Sequence, residues 1–391
     1  MPEPRLIKRI MRCRSLLFTA LAWLTSGIVA APSPPRFIPI GAAEIDITPD
    51  YPIRLTGYVA RHKESEGAGQ QLRAKALAMG GGPQDLTLVV TVDNCGVCAN
   101  VTEEVAARLK TKAGVLRDRI AFCSSHTHSA PWTVGFAANI FAEDLPAEQM
   151  AKVQRYTKEL TDKLEQVALA ALADRKPGRL AWASGAVGFA ANRRTNGGPV
   201  DRSVPILCAL GPDGQIRAVL ANYACHCTTL GADFNQTCAD WVGFAGEKLE
   251  SKHPGMVALV AIGCGADANP QPRGGKDGGL AFAQQHGAEL AEEVESLLAN
   301  PLTDLAELPQ ARLKRIDLPF QTHFTREQWV ERSQKPGIVG YHARKNLARL
   351  DRGEALPTTL PYVVQTWTFN NRLAMVFLAG EVVVDYLFWF K

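Results

Sequence analysis

Apolar and polar residues alternate with a period of two over several short runs and with a helical period over longer ones, and the two kinds of run interleave along the chain. The first run, over 37–50, reads as a strand that stops at Pro49. Gly57 and the charged residues from Arg61 to Glu66 read as an exposed loop. Strands are predicted over 72–79 and 86–93, and the glycine-rich residues between them make the pair a hairpin with a longer turn. Asn100 or Thr102 caps a helix that runs to about Lys112, and a short strand over 119–123 follows. Asp144, with Pro146 in the first turn, starts the longest helix, which reaches Ala173 and is ended by Lys176-Pro177-Gly178. Further strands are predicted over 180–183, 204–210, 216–223, 256–262, 362–369 and 373–378. Helices are predicted over 241–252, 280–298 and 341–350, with one more opening at the Thr325 capping box. No repeat, linker or composition break divides this series, so the pattern predicts one large α/β domain of mixed β-sheets flanked by helices.

Residues 1–31 follow another grammar. Arg5, Lys8, Arg9, Arg12 and Arg14 precede an apolar core over 16–24 and a small-residue cleavage site over 28–31, as in a secretory signal peptide. That core is shorter than the roughly 20 residues of a spanning helix. The reading is therefore export, to a periplasm or beyond, of a mature chain over 32–391 without a transmembrane span. The leader carries five positive charges against Glu3, which accounts for the whole formal charge of +4. The mature chain is near neutral, with no cluster of Lys and Arg for a nucleic-acid partner.

Eight cysteines follow the leader. Cys95-x-x-Cys98 and Cys225-x-Cys227 offer a redox pair or a structural zinc site, while the apolar runs around most of the cysteines favour buried thiols. The apolar end over 382–391, without cap or polar tail, predicts a chain truncated relative to its relatives.

Candidate chemistry collects at predicted strand ends. Past the strand over 119–123, an extended backbone would put His126 and His128 on one face, able to share a metal ion or to divide metal binding and substrate hydrogen bonding. The ordinary alternative is two polar loop residues. His226 follows the strand over 216–223, and Asp267 and Asn269 lie in the turn after the strand over 256–262. Asn192-Arg193-Arg194 offers guanidinium groups for a polar or anionic substrate group, and Glu381 offers a hard oxygen after the last strand. No nucleophile elbow, phosphate loop or dinucleotide fingerprint is present. Three histidines and a carboxylate at separate strand ends point instead to a zinc-type hydrolytic site.

The ordered set Gly41-Ala-Ala-Glu-Ile-Asp-Ile-Thr-Pro49, Ser125-His-Thr-His-Ser-Ala-Pro131, Asn192-Arg193, His226-x-Thr-Thr229, Gly265-Ala-Asp267-Ala-Asn-Pro270 and Gly380-Glu381 resembles the catalytic domain of neutral, non-lysosomal ceramidases. The resemblance implies that His126, His226 and Glu381 bind Zn2+ and that His128 and Arg193 lie in the active site, with His128 placed to hydrogen-bond the scissile carbonyl. Asp267 and Asn269 are expected to line it. The implied reaction is hydrolysis of a small-molecule or lipid amide, compatible with a substrate at a membrane surface. Three features differ from the family pattern. Asn269 stands where the family has a serine before proline, the chain stops ten residues after Glu381, short of the family's tyrosine zinc ligand, and the C-terminal immunoglobulin-like domain of long members is missing. They frame a second expectation, an exported ligand-binding protein that keeps a vestigial metal site.

Overall fold

A computed structural model describes residues 37–275 and 279–390; the leader read over 1–31 lies outside them. In chain order the elements are β1 (Ile38–Asp46), β2 (Arg73–Met79), β3 (Thr87–Val92), α1 (Ala99–Ala113), β4 (Ile120–Ser124), α2 (Ala147–Ala173), β5 (Lys176–Ala186), β6 (Ala190–Asn192), β7 (Ser203–Leu210) and β8 (Ile216–Tyr223). Next come α3 (Asp240–Lys252), β9 (Val257–Ile262), β10 (Ala268–Pro270), α4 (Leu280–Leu298), β11 (Thr303–Leu305), β12 (Gln310–Pro319), α5 (Arg326–Ser333), α6 (Gly337–Asp351), β13 (Thr359–Phe369), β14 (Leu373–Leu378) and α7 (Asp385–Phe390).

The main sheet has the order β4-β3-β2-β1-β5-β7-β8-β9, with β11 added on β5. Its two outermost pairs, β3 with β4 and β8 with β9, are parallel, and the rest is antiparallel. The sheet doubles over, so that β9 lies against β2, β3 and β4. Residue parity then assigns three cores. On β2, Leu77 and Met79 face the interior of the doubled sheet, where they meet Leu207, Leu220 and Leu259. Ala74, Ala76 and Ala78 face outward and are covered by α1 and α2 through Val105, Leu109, Leu160 and Leu164. In the other half, Val219, Ala221 and Tyr223 of β8 face α3 and α4 through Trp241, Leu249 and Leu290. Four layers result, helix, sheet, sheet and helix. Strands buried on both faces carry continuous apolar runs, because water reaches neither side.

The three-stranded sheet β12-β13-β14 closes one opening of the inner core with Trp367 and Phe369. The described residues form one compact unit, and among them no helix is long and apolar enough to cross a membrane.

Several local expectations change. α1 starts after Cys98, which makes no side-chain cap, so neither Asn100 nor Thr102 is the cap. α2 starts after Pro146, and Asp144 instead accepts hydrogen bonds from Tyr341 Oη at 2.7 Å and Lys345 Nζ at 2.5 Å. Lys176-Pro177-Gly178 already belongs to β5 and pairs with β1. The Thr325 capping box is present as expected. β12 was not anticipated, since its alternation mixes charged and apolar residues on a mostly exposed strand. All eight cysteines from Cys95 to Cys264 are free. Among the described residues the two cysteine pairs do not gather into one metal-binding group; Cys95 instead stands in a possible group with His126 and His128.

Candidate metal centre

His126 stands two residues past the end of β4. Because β4 runs parallel to β3, the residues just past β3 lie alongside: Asn94 O accepts from His126 N at 3.0 Å and Cys95 O pairs with His126 Nδ1 at 2.6 Å. The backbone is not extended here. His126 has φ 57°, a left-handed conformation that non-glycine residues seldom adopt and that clusters at functional sites. His126 and His128 therefore meet through a turn, with their Nε2 atoms 3.3 Å apart, rather than as same-face residues of a strand.

His226 follows β8 at the other end of the sheet and is buried. Its N donates to Ala268 O at 2.9 Å, its O accepts from Trp241 Nε1 at 2.9 Å, and its Nδ1 pairs with Gly265 O at 2.8 Å. Glu381 follows β14 and its side chain is 51% exposed. Its segment is fastened by Ala266 N donating to Val382 O at 2.9 Å, Val384 N to Asp267 Oδ1 at 3.0 Å, and Tyr362 Oη to Ala379 O at 2.6 Å.

These placements converge. Glu381 Oε2 lies 3.2 Å from His226 Nε2, Glu381 Oε1 lies 3.5 Å from His126 Nε2, and the three ligand atoms lie within 4.8 Å of one another. Donors at about 2.0–2.1 Å around a tetrahedral ion are separated by about 3.3 Å, close to these values. The second nitrogens reinforce the fit. A backbone carbonyl on Nδ1 fixes its proton there, which turns the lone pair of Nε2 toward the carboxylate in both histidines. A shared cation, or a proton on His226 Nε2, meets the carboxylate at this range. Two histidines and one glutamate form a donor set that could hold a metal ion.

Electrostatics favour neutral imidazoles at His126 and His128 beside a charged carboxylate. Burial, then the neighbouring His226, lowers the pKa of His126. Burial, then His126 and His226, lowers that of His128 well below its ordinary value. The hydrogen bond with His226 and the surrounding imidazoles hold Glu381 down to about 2.

The remaining candidates divide into two groups. His128 adjoins His126, and Arg193 Nη2 reaches to 3.8 Å from Glu381 Oε2. Asp267 is buried, and its carboxylate serves the scaffold: Oδ1 accepts from Val384 N, Oδ2 from Asn192 Nδ2 at 3.5 Å, and its carbonyl from Arg193 N at 2.7 Å. Asn269 Oδ1 accepts from Thr228 Oγ1 at 3.2 Å. Asp267 thus ties the Arg193 and Glu381 segments together. Arg194 is exposed.

Sequence reasoning passed over the loop from Gly57 to Arg61. Tyr58 meets the His128 ring edge-on with centroids 4.9 Å apart. Gly57 has φ 93°, and a Cβ there would stand 2.4 Å from His128 Cγ, so both its conformation and its contact require glycine. Arg61, expected in an exposed loop, is 3% exposed. A glycine beside an aromatic residue was the available signal, and the charged residues that follow masked it.

A family model described as neutral/alkaline non-lysosomal ceramidase, N-terminal, matches residues 38–261. Among solved structures, the chain is similar to neutral ceramidase from Pseudomonas aeruginosa, with TM-score 0.70 and 16% identity over 87% of this chain and 62% of that one. It is also similar to a ceramidase complexed with C2, with TM-score 0.66 and 16% identity over 85% of this chain and 62% of that one. The chain thus spans less than two thirds of the length of those proteins. No curated protein matches the sequence.

Proposed function

From a chain that belongs to the neutral/alkaline non-lysosomal ceramidase family, we propose an exported zinc-dependent hydrolase of an N-acyl bond in a lipid amide. The observation that carries this reading is the convergence of His126 Nε2, His226 Nε2 and the Glu381 carboxylate within 4.8 Å, with both Nδ1 atoms held by carbonyls. Those three residues would hold the ion. When bound, zinc supplies Lewis acidity that polarises an amide carbonyl and acidifies water.

The chain's own groups do the rest. His128 is neutral at physiological pH and adjoins His126, so it can hydrogen-bond the amide oxygen as negative charge develops there. Arg193 faces the exposed side of Glu381 and orients the polar end of the substrate. The buried wall formed by Trp241 and the His226 turn keeps water off one side of the centre.

Metal content and turnover of N-acyl substrates by the purified protein, compared with a His126→Ala/His226→Ala variant, test the proposal. About one zinc per chain that the variant lacks, with hydrolysis lost alongside it, is the expected result. A folded wild-type protein without zinc, or hydrolysis that survives in the variant, would overturn it. Zinc without turnover would favour the binding-protein alternative.

A further inference from the structure

Arg61 is a buried cation that gives its donors to backbone carbonyls and a hydroxyl rather than to a carboxylate. Its Nη1 donates to Thr56 O at 3.0 Å and to the His128 carbonyl. Its Nη2 donates to Ser129 Oγ at 3.2 Å, Gly231 O at 3.3 Å and Phe234 O at 2.8 Å, and its Nε donates to Ala232 O at 3.3 Å. The guanidinium also lies over the Tyr58 ring, 5.0 Å from its centroid. Tyr58 Oη in turn donates to Leu230 O at 2.7 Å. Three segments distant in sequence, over 56–61, 128–129 and 230–234, are therefore held by one planar fork.

Keeping a guanidinium away from water and from any carboxylate is unfavourable unless its donors are met, and closing a loop alone does not require it. What this group grips is the backbone of His128. The His128 ring stands against Gly57 and Tyr58, and its Nδ1 is buried without a hydrogen-bond partner among the described residues. Nothing bonded to the ring on that side fixes its orientation, so the orientation depends on the backbone and on the walls of the slot. Arg61 acts on both, since it holds the His128 carbonyl and the loop that bears Gly57 and Tyr58, alongside the bond from His128 N to Cys227 O at 3.3 Å.

We propose that Arg61 is a positioning residue that sets the His128 imidazole beside His126 through the His128 carbonyl. The proposal rests on the reading of His128 as the group that bonds the amide oxygen, and it assigns Arg61 no contact with substrate. A displaced His128 would weaken an interaction made in the transition state, which lowers kcat and leaves KM nearly unchanged.

The test uses the full chain loaded with zinc and an Arg61→Met variant. Imidazole nitrogen resonances are recorded, with that of His128 identified by its loss in His128→Ala, and a double-mutant cycle is run on kcat. The His128 resonances are expected to move while those of His226 stay. The variant should lose about 100-fold in kcat, the scale of a small misplacement of a catalytic group, and nothing further in the His128→Ala background. Unmoved His128 resonances, or an equal loss in both backgrounds, would overturn the assignment. If Arg61→Met does not fold, Arg61→Lys keeps the charge but not the fork. It is expected to move the same resonances less, and an unmoved ring would again overturn the idea. The resonances need no substrate. Moved resonances in a protein that hydrolyses no amide would count against the proposed reaction and in favour of the positioning role.

Discussion

The two histidines and the glutamate of the candidate centre come from regions built in different ways. His126 and His226 stand at strand ends of the doubled sheet, where helices and a second sheet layer exclude water. Each has its backbone N and its Nδ1 bonded to carbonyls within that framework. Glu381 follows the last strand of the outer three-stranded sheet, its side chain is half exposed, and its segment is fastened by three hydrogen bonds around it. The difference teaches that two ligands are organised in advance by burial, whereas the third is delivered by an outer arm whose alignment depends on a few specific bonds.

His226→Ala should break the centre outright. Removing a buried ligand is expected to abolish zinc retention and, with several kcal/mol of transition-state stabilisation gone, to lower turnover on the order of 10³-fold or more. Zinc retained at the wild-type level in metal analysis would end the distinction between organised and delivered ligands. Glu381→Gln should also weaken zinc binding, and loss of its charge beside His226, screened by solvent at this half-exposed position, should cost the metal-free protein about 1 kcal/mol or less in denaturant unfolding. A large loss of metal-free stability would mean that the arm belongs to the core.

Asp267→Ala leaves every ligand in place and removes the acceptor of Val384 N, so it sharpens the comparison further. Zinc affinity is expected to fall about 10–100-fold, as for groups that orient a ligand, and competition with a chelator would read it. Unchanged affinity would show that the other bonds suffice to hold the arm.

The smallest effect on the centre is expected from Asp93, at the end of β3 inside the framework. Burial raises its pKa from 3.8 to about 6. The folded state therefore holds the proton more tightly than the unfolded one. Stability is highest below about pH 4 for this group and is lost as pH rises toward about 6. Asp93→Asn should remove that decline, by a few kcal/mol at most, without altering zinc affinity. Unfolding midpoints at pH 4.5 and 7 check this, and an unchanged slope would refute it.

Much of the framework was legible because both-sided burial writes itself as unbroken apolar runs: the hairpin of β2 and β3, and β7 to β9, stand within a residue or two of their expected places. The candidate ligands His126, His226 and Glu381 could be singled out because each follows a predicted strand, and the family resemblance grouped them. Three things were not. The left-handed turn at His126 depends on the parallel neighbour β3, which no local pattern announces. The burial of Arg61 depends on carbonyls about 170 positions away, so its charge read as exposure. Asp267 read as a site-lining group because its acceptors face a segment more than a hundred residues later.

The doubling of the main sheet also governs the order in which the molecule can be assembled. His126 and His226 come from near its opposite ends, and Glu381 lies 155 residues beyond His226. These atoms become neighbours only after the longest-range contacts have closed, which are the slow steps for a chain of this topology. An ion cannot nucleate such a fold as it does a zinc finger, where binding and folding are one event. The chain must reach its native topology unaided and take up metal last, so removing the ion should leave a folded protein that can be reloaded.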